Sequence, residues 1–530
     1  MIVSLPPWLV TLVVSLLVIG AVRFLSTLRI KLKRLSATFQ KRKPFDELPT
    51  PPNSHWLLGH LPLLEGDFRI CHHRLFRDHS NEFGQTGCWV FSTGYVSVTN
   101  FEDVRSVLNN SRTRKMVAIV RRHMDPFLGR DSILFLNDKE WRSHRSVIGR
   151  GFTPGAVKEA QQGMQKVIST LLTSLKECGV DQPVQRDIGA LMKMITIDIF
   201  GQAALSRDLG CCNKLQPSPM AVAFDYLGKE LSRRLLSPSS VGDFFYWIPT
   251  TRNLHYQRER KLVRDCITGL IGDRLAMPKD DRPEDVLNGI LKGMEEDGKN
   301  ADSSHLSETT ISDIVMTLVF GGYDTTSTTL TYALYHIATI PEVEKALLAE
   351  IDHVDVTDLD SLQYCKAVVL ETLRLYPPGA LNERTLEKPL QLKGGVVLPA
   401  NTICWIPIGT IQRMEEHFER PAEFHPERWA RQGVNGAWEE RFEDDNVTVM
   451  SGISKDAIAP ANREAFFAFS SGGRSCPGSK FAMTEAILVL AQLVKHFSFE
   501  LPPDYELIPV NVGIVQKPRD DMIMAMKWRK

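Results

Sequence analysis

The ten residues 469–478, FSSGGRSCPG, set one cysteine among three glycines, beside an arginine and directly ahead of a helix-forming run. That run, SKFAMTEAILVLAQLVKHF, is amphipathic and rich in good helix formers. The Cys476 thiol is therefore expected at a helix N-terminus, where the dipole and free backbone N–H groups favour a thiolate. Gly472 and Gly473 remove side chains from the approach, so backbone can lie close to something large and flat. Three chemistries use such a thiolate: a nucleophile, a redox thiol, or a single ligand to iron. The segment holds no histidine to act as a base and no second cysteine to resolve a disulfide. A metal ligand needs what is present: one thiolate, close backbone, and a cation (Arg474) for an anionic group on the cofactor. Taken alone, the stretch also suits an ordinary glycine-rich helix start.

The rest of the chain narrows the setting. Its 530 residues are 43% hydrophobic and 24% charged with no formal net charge, so nothing points to a nucleic-acid partner. Nine cysteines, an odd number without C-x-x-C spacing, argue against a disulfide framework or zinc cluster and fit a reducing compartment. Apart from Cys476 they read as small buried apolar residues. At the N-terminus, no charged side chain precedes Arg23. Roughly 22 helical residues reach about 33 Å, enough for a hydrocarbon core of about 30 Å. Arg23, Arg29, Lys31, Lys33, Arg34, Lys41, Arg42 and Lys43 follow, with no acidic residue before Asp46, which predicts that this block stays cytosolic. The run is long for a cleaved signal and has no basic residue ahead of it. Residues 1–25 thus read as a transmembrane anchor, 26–55 as a basic and proline-rich linker, and 56–530 as one globular body. Helical periodicity dominates from about residue 155 to 376. Strand-like alternation is confined to residues 94–100, 394–407 and the last thirty, giving a mainly α chain with small β-sheets, an α+β class. The loop-like stretches 294–308 and 429–469 do not divide it, because the candidate chemistry falls on both sides of each.

Within the helical region, ISDIVMTLVFGGYDTTSTTLTYALYHIATIP is a long apolar helix with an oddity at its middle. Gly321 and Gly322 each cost about 1 kcal/mol relative to alanine. Thr325 and Thr326 can turn their hydroxyls onto a preceding carbonyl and bend the axis. A ladder broken there leaves room for a small ligand and water, with the Asp324 acid and Thr325 alcohol at the gap. Further on, Glu371 and Arg374 are spaced i, i+3 on one helix face, and FHPERW places Arg428 downstream. In WRSHR, Trp141 and Arg145 lie one helical turn apart.

Together these stretches resemble the cytochrome P-450 haem-thiolate monooxygenases. The signature F-x-x-G-x-R-x-C-x-G is met at Phe469, Gly472, Arg474, Cys476 and Gly478, and the oxygen-activation motif [AG]-G-x-[DE]-T-[ST] at residues 321–326. E-x-x-R, the meander-like FHPERW and W-x-x-x-R occur in the family's order, and the likeness covers nearly the whole chain after Pro49. The resemblance implies the cytochrome P-450 fold and haem b (iron protoporphyrin IX), with Cys476 as the axial thiolate and metal ligand. It implies Phe469 in the cofactor loop and Trp141, Arg145, Arg384 and Arg474 on the propionates. Glu371, Arg374 and Arg428 would form a buried charge cluster. Asp324 would relay protons and Thr325 would position them, both as catalytic residues. No flavin-type or G-x-G-x-x-G segment is evident, so electrons must come from a separate protein. The likeness implies an NADPH-cytochrome reductase, with O2 as co-substrate and a hydrophobic small molecule as substrate. A single-pass protein of the endoplasmic reticulum membrane with a cytosolic catalytic domain follows, or alternatively one of a plastid or other organelle membrane. A haem-thiolate isomerase or dehydratase, which can dispense with the acid–alcohol pair, and a non-catalytic haem sensor are the competing readings. Residues 112–135, Met316, Phe320, 379–381 and 513–515 are expected to line a substrate pocket, mainly apolar and suited to a bulky lipid-like molecule. Gly321 stands where some fatty-acid-hydroxylating members carry a glutamate ester-linked to haem, a link impossible here. Residues 430–468 are longer than the family's usual meander and contain the acidic EERFEDD.

Overall fold

The central helix Glu308–Thr339 organises the molecule. Buried residues lie on all its faces, which is why its sequence lacks a polar stripe. Ser307 starts it, its hydroxyl accepting the Thr310 N–H at 3.1 Å. The helices Ile188–Ile199, Thr251–Ala276, Gln363–Leu375 and Ser479–His496 pack directly against it. The computed structural model describes residues 47–529, except 56–57, 91–92, 111–117, 180–182, 237–245, 247, 298–306, 434–435, 442–457 and 513. The anchor expected over residues 1–25 and most of the linker lie outside these. Among the described residues no helix is long and apolar enough to cross a membrane.

A four-stranded sheet flanks the helices, in the order Gln85–Val90, Thr93–Val98, Ile403–Ile406, Asn382–Thr385. Its middle pair is parallel, with Tyr95 opposite Ile403, and the outer pairs are antiparallel. A three-stranded sheet joins Phe497–Glu500, Ile523–Trp528 and Val184–Asp187, and shorter hairpins complete the β content. The helix-rich, small-sheet class read from the sequence is what folds. Several strands escaped that reading, among them Val184–Asp187, Phe497–Glu500 and two of the four-stranded sheet, for which the physical reasons are plain. Gln85–Val90 is covered on both faces, so its pattern does not alternate. Asn382–Thr385, of sequence NERT, is polar and carries little strand propensity.

The acidic stretch 430–468 is, in its described part, built into the fold. Ala430–Gln432 pairs with Trp438–Glu440, and the Trp438 ring lies 4.3 Å from that of Tyr364. Glu440 holds Lys366 at 3.3 Å and Arg463 at 2.8 Å. Residues 442–457 of this segment fall outside the described ones.

Candidate active site

The cysteine loop is tied by its own backbone. The Cys476 N–H donates to the Phe469 carbonyl at 2.9 Å, and Gly472 sits at φ +72°, a left-handed conformation that favours glycine. Helix Ser479–His496 begins three residues past the cysteine, with Gly478 at the N-cap position. Cys476 faces an internal cavity yet is surrounded by protein, and the balance differs from the sequence expectation. Burial pushes its thiol up, and the Gly478 N–H and the Arg145 cation only partly offset this. A lone nucleophilic or redox thiolate is poorly served there, whereas a metal ion supplies the charge that deprotonates such a thiol.

The cavity encloses about 670 Å³ and gathers residues from distant parts of the chain. Cys476, Phe469, Arg474, Trp141, Arg145, Arg384, Gly321 and Thr325 all line it. Trp141 and Arg145 come from helix Asp138–Gly151. Arg474 stacks on the Trp141 ring at 4.3 Å and donates to the Leu136 carbonyl at 2.9 Å. Arg384 reaches Ser470 Oγ at 3.1 Å, and Asn382 Nδ2 reaches the same oxygen at 2.8 Å, joining the sheet to the cysteine loop. Arg145 makes no hydrogen bond or ion pair among the described residues, and burial lowers its pKa. A half-buried cation without a carboxylate, beside a thiol that opens onto the cavity, fits a cofactor carrying both a metal and an anionic edge.

The central helix supplies the opposite wall. It runs as continuous α-helix through Gly321 and Thr325, so the expected break in its ladder is absent. Room comes instead from the missing side chain of Gly321, where an added Cβ would meet nothing within 4 Å. Gly322 has a different job, since a Cβ there would come within 2.7 Å of the Phe200 ring. The Thr325 hydroxyl does bond back to the Gly321 carbonyl, at 2.6 Å, as the sequence predicts. Asp324 is buried beside the cavity, not among the residues lining it, and its carboxylate pairs with Lys517 at 2.6 Å. Phe320, residues 379–381, Ile514 and Val515 line the cavity as expected, but of the described part of residues 112–135 only Ile133 and Leu134 do. Met316 does not: it turns into the core, and Thr317 and Leu318 take the wall. Residues 112–117 and Gly513 lie outside the described part.

Behind the cysteine loop, Glu371, Arg374 and Arg428 are fully buried together. Arg374 grips Glu371 through two bonds of 2.9 and 2.8 Å, and Arg428 adds one of 3.1 Å. Burial alone would push the Glu371 carboxyl up, but the two arginines and the His425 N–H overcome it and hold it low. Trp429 Nε1 also donates to Glu371, at 2.9 Å. Gln412 links this cluster to the cysteine loop. Its amide donates to the Leu373 and Arg374 carbonyls, and its oxygen accepts the Phe467 N–H at 2.7 Å. Sequence reasoning missed Gln412 and Lys517, and no local pattern marks either.

The profile of the family described as Cytochrome P450 matches residues 49–524. The chain belongs to the cytochrome P450 family. Cytochrome P450 3A30 of Fundulus heteroclitus is 27% identical over 412 residues, covering 72% of this chain and 73% of the relative. Cytochrome P450 4F3 of Rattus norvegicus is 25% identical, over 94% and 92% of the two chains. Pentalenene oxygenase of Streptomyces avermitilis is 30% identical over 305 residues, 56% of this chain and 60% of that one. This cytochrome P450 is accordingly a haem-thiolate protein with a cysteine-ligated haem b and an oxygen-incorporating oxidoreductase.

Proposed function

We propose that this cytochrome P450 is a membrane-anchored monooxygenase of bulky apolar molecules, with Cys476 as its metal ligand. The supporting observation is that Cys476, the unpaired Arg145 and Thr325 all face one cavity. Haem, when bound, supplies the chemistry that activates dioxygen and inserts one oxygen atom into the substrate. Cys476 Sγ would bind its metal, while Arg145, Arg384 and Arg474, with Trp141, would hold its propionates. Thr325 Oγ1 holds a hydrogen-bonded water at the cavity wall, and the Asp324 carboxyl carries protons to it. Leu61, Leu64, Phe320, Ile514 and Val515 exclude bulk water and favour a lipid-like substrate. Electrons come from an NADPH-dependent flavoprotein reductase at the endoplasmic reticulum membrane, with residues 1–25 as the anchor.

The reduced protein with carbon monoxide should show the red-shifted Soret band of a thiolate haem. Persistence of that band in Cys476→Ala would sink the ligand assignment. Removing residues 1–25 should keep the band while moving protein out of the membrane fraction. A ligand-shift screen of long-chain, sterol and terpenoid compounds then names the substrate class.

A further inference from the structure

Asp324 and Lys517 form an ion pair across 193 residues of sequence, and neither charged end makes another hydrogen bond or ion pair among the described residues. Both side chains are largely buried, at 7% and 16% exposure. The pair ties the central helix to strand Val515–Pro518, which is hairpin-paired with Pro509–Val512 so that Lys517 stands opposite Val510. That hairpin has a second contact surface. Val510, Asn511, Ile514 and Val515 line the same cavity as Thr325. The Gln516 N–H, between Val515 and Lys517, donates to the Pro378 carbonyl at 2.9 Å, next to the cavity-lining residues 379–381. One short hairpin therefore touches both the space a substrate would fill and the acid that would deliver protons.

We infer that Lys517 is a positioning residue that couples cavity occupancy to proton delivery, holding the Asp324 carboxylate away from Thr325 until a ligand presses on the hairpin. The inference rests on the monooxygenase reading and extends it. Adjacent strand residues move together through the shared backbone, so a molecule packed on Val515 displaces Lys517 two positions along on the same face. An ion pair this buried has two discrete arrangements, engaged or released, because a partly separated buried pair keeps the desolvation cost without the attraction. In the engaged state the acid is spoken for and the empty enzyme is protected from wasteful turnover. In that waste reaction, two electrons from the nicotinamide reductant and two protons convert O2 to hydrogen peroxide.

The test uses full-length, haem-loaded protein as wild type, Lys517→Met, Lys517→Arg, Asp324→Asn and the Lys517→Met/Asp324→Asn double variant. The first readout is the denaturant midpoint, which does not depend on activity. It should fall in Lys517→Met, which strands a buried carboxylate, and recover in the double variant, where that charge is gone. Lys517→Arg should stay near wild type. Equal midpoints for all five would mean that the pair does not form, and would overturn the inference. The second readout is NADPH consumption and peroxide release with a purified flavoprotein reductase and no added ligand. Lys517→Met should leak several-fold faster than wild type, and removing the acid as well, in the double variant, should suppress that rise. A normal leak in Lys517→Met, with the midpoints behaving as stated, would show a structural pair and refute the gate. A wild type without the carbon monoxide band would instead sink the proposed function, and the gate with it.

Discussion

Arg374→Ala removes a guanidinium that makes five hydrogen bonds inside the protein: two to Glu371 and one each to the carbonyls of Gln412, Pro421 and Glu423. Breaking one partner out of a buried ion pair costs about 3–5 kcal/mol, because the other charge stays buried. Here Glu371 is not left alone. Arg428, Trp429 and the His425 N–H still reach it, which places the cost near the lower end, about 3 kcal/mol. Against a typical total of about 5–15 kcal/mol, that is a substantial loss that still permits folding. Glu371→Ala strands two arginines together and belongs at the upper end, about 5 kcal/mol. Arg374→Lys keeps the charge but has three donors where five bonds existed, and should fall between wild type and Arg374→Ala. Haem loading reports the same defect by another route, since Gln412 bonds the Leu373 and Arg374 carbonyls on one side and the Phe467 N–H of the cysteine loop on the other. Denaturant unfolding gives the order of stabilities, and the carbon monoxide band gives the haem content. A wild-type midpoint and full haem loading in Arg374→Ala would refute the argument from burial, as would Glu371→Ala proving the milder change.

Thr325→Ala should fold and bind haem, because it removes only a hydroxyl bonded to the Gly321 carbonyl and a methyl, yet release more hydrogen peroxide per NADPH and form less product. Unchanged coupling would reduce this threonine to a helix residue. The two adjacent glycines should part company in thermal unfolding. Gly321→Ala gains helix propensity of up to about 1 kcal/mol with no clash, and Gly322→Ala loses about 1–3 kcal/mol against the Phe200 ring. Equal effects would contradict the cavity geometry. A pH effect is expected at Glu230, where burial raises the carboxyl but Arg233 and Arg234 outweigh it and bring it down to about 2 from 4.5. A depressed carboxylate pKa stabilises the fold above the unfolded value, so this contribution should be complete above about pH 4.5 and fade as the pH falls toward about 2. In Glu230→Gln, the denaturant midpoint should lose that part of its acid dependence.

The chemistry of this cytochrome P450 was legible where it is local. Phe469, Gly472, Arg474 and Cys476 lie within one loop, Glu371 and Arg374 within one helical turn, and Gly321 and Thr325 one turn apart, so chain spacing alone sets their mutual geometry. The back-bonded Thr325 hydroxyl is such a case, since an α-helix always brings the carbonyl four residues earlier within its reach. What spacing cannot supply is the environment that distant segments create. A helix start favours a thiolate at Cys476, but protein packed around the loop pushes the thiol the other way, and burial is a property of the whole fold. Met316 and Phe320 sit one turn apart on the same helix and both join the core, yet only the packing of neighbouring helices decides that Phe320 also reaches the cavity and Met316 does not. Lys517 lies within the strand-like last thirty residues, and nothing in its local sequence singles it out. It becomes the partner of Asp324 because the C-terminal hairpin folds back onto the central helix, a contact between residues 193 apart that no periodicity encodes.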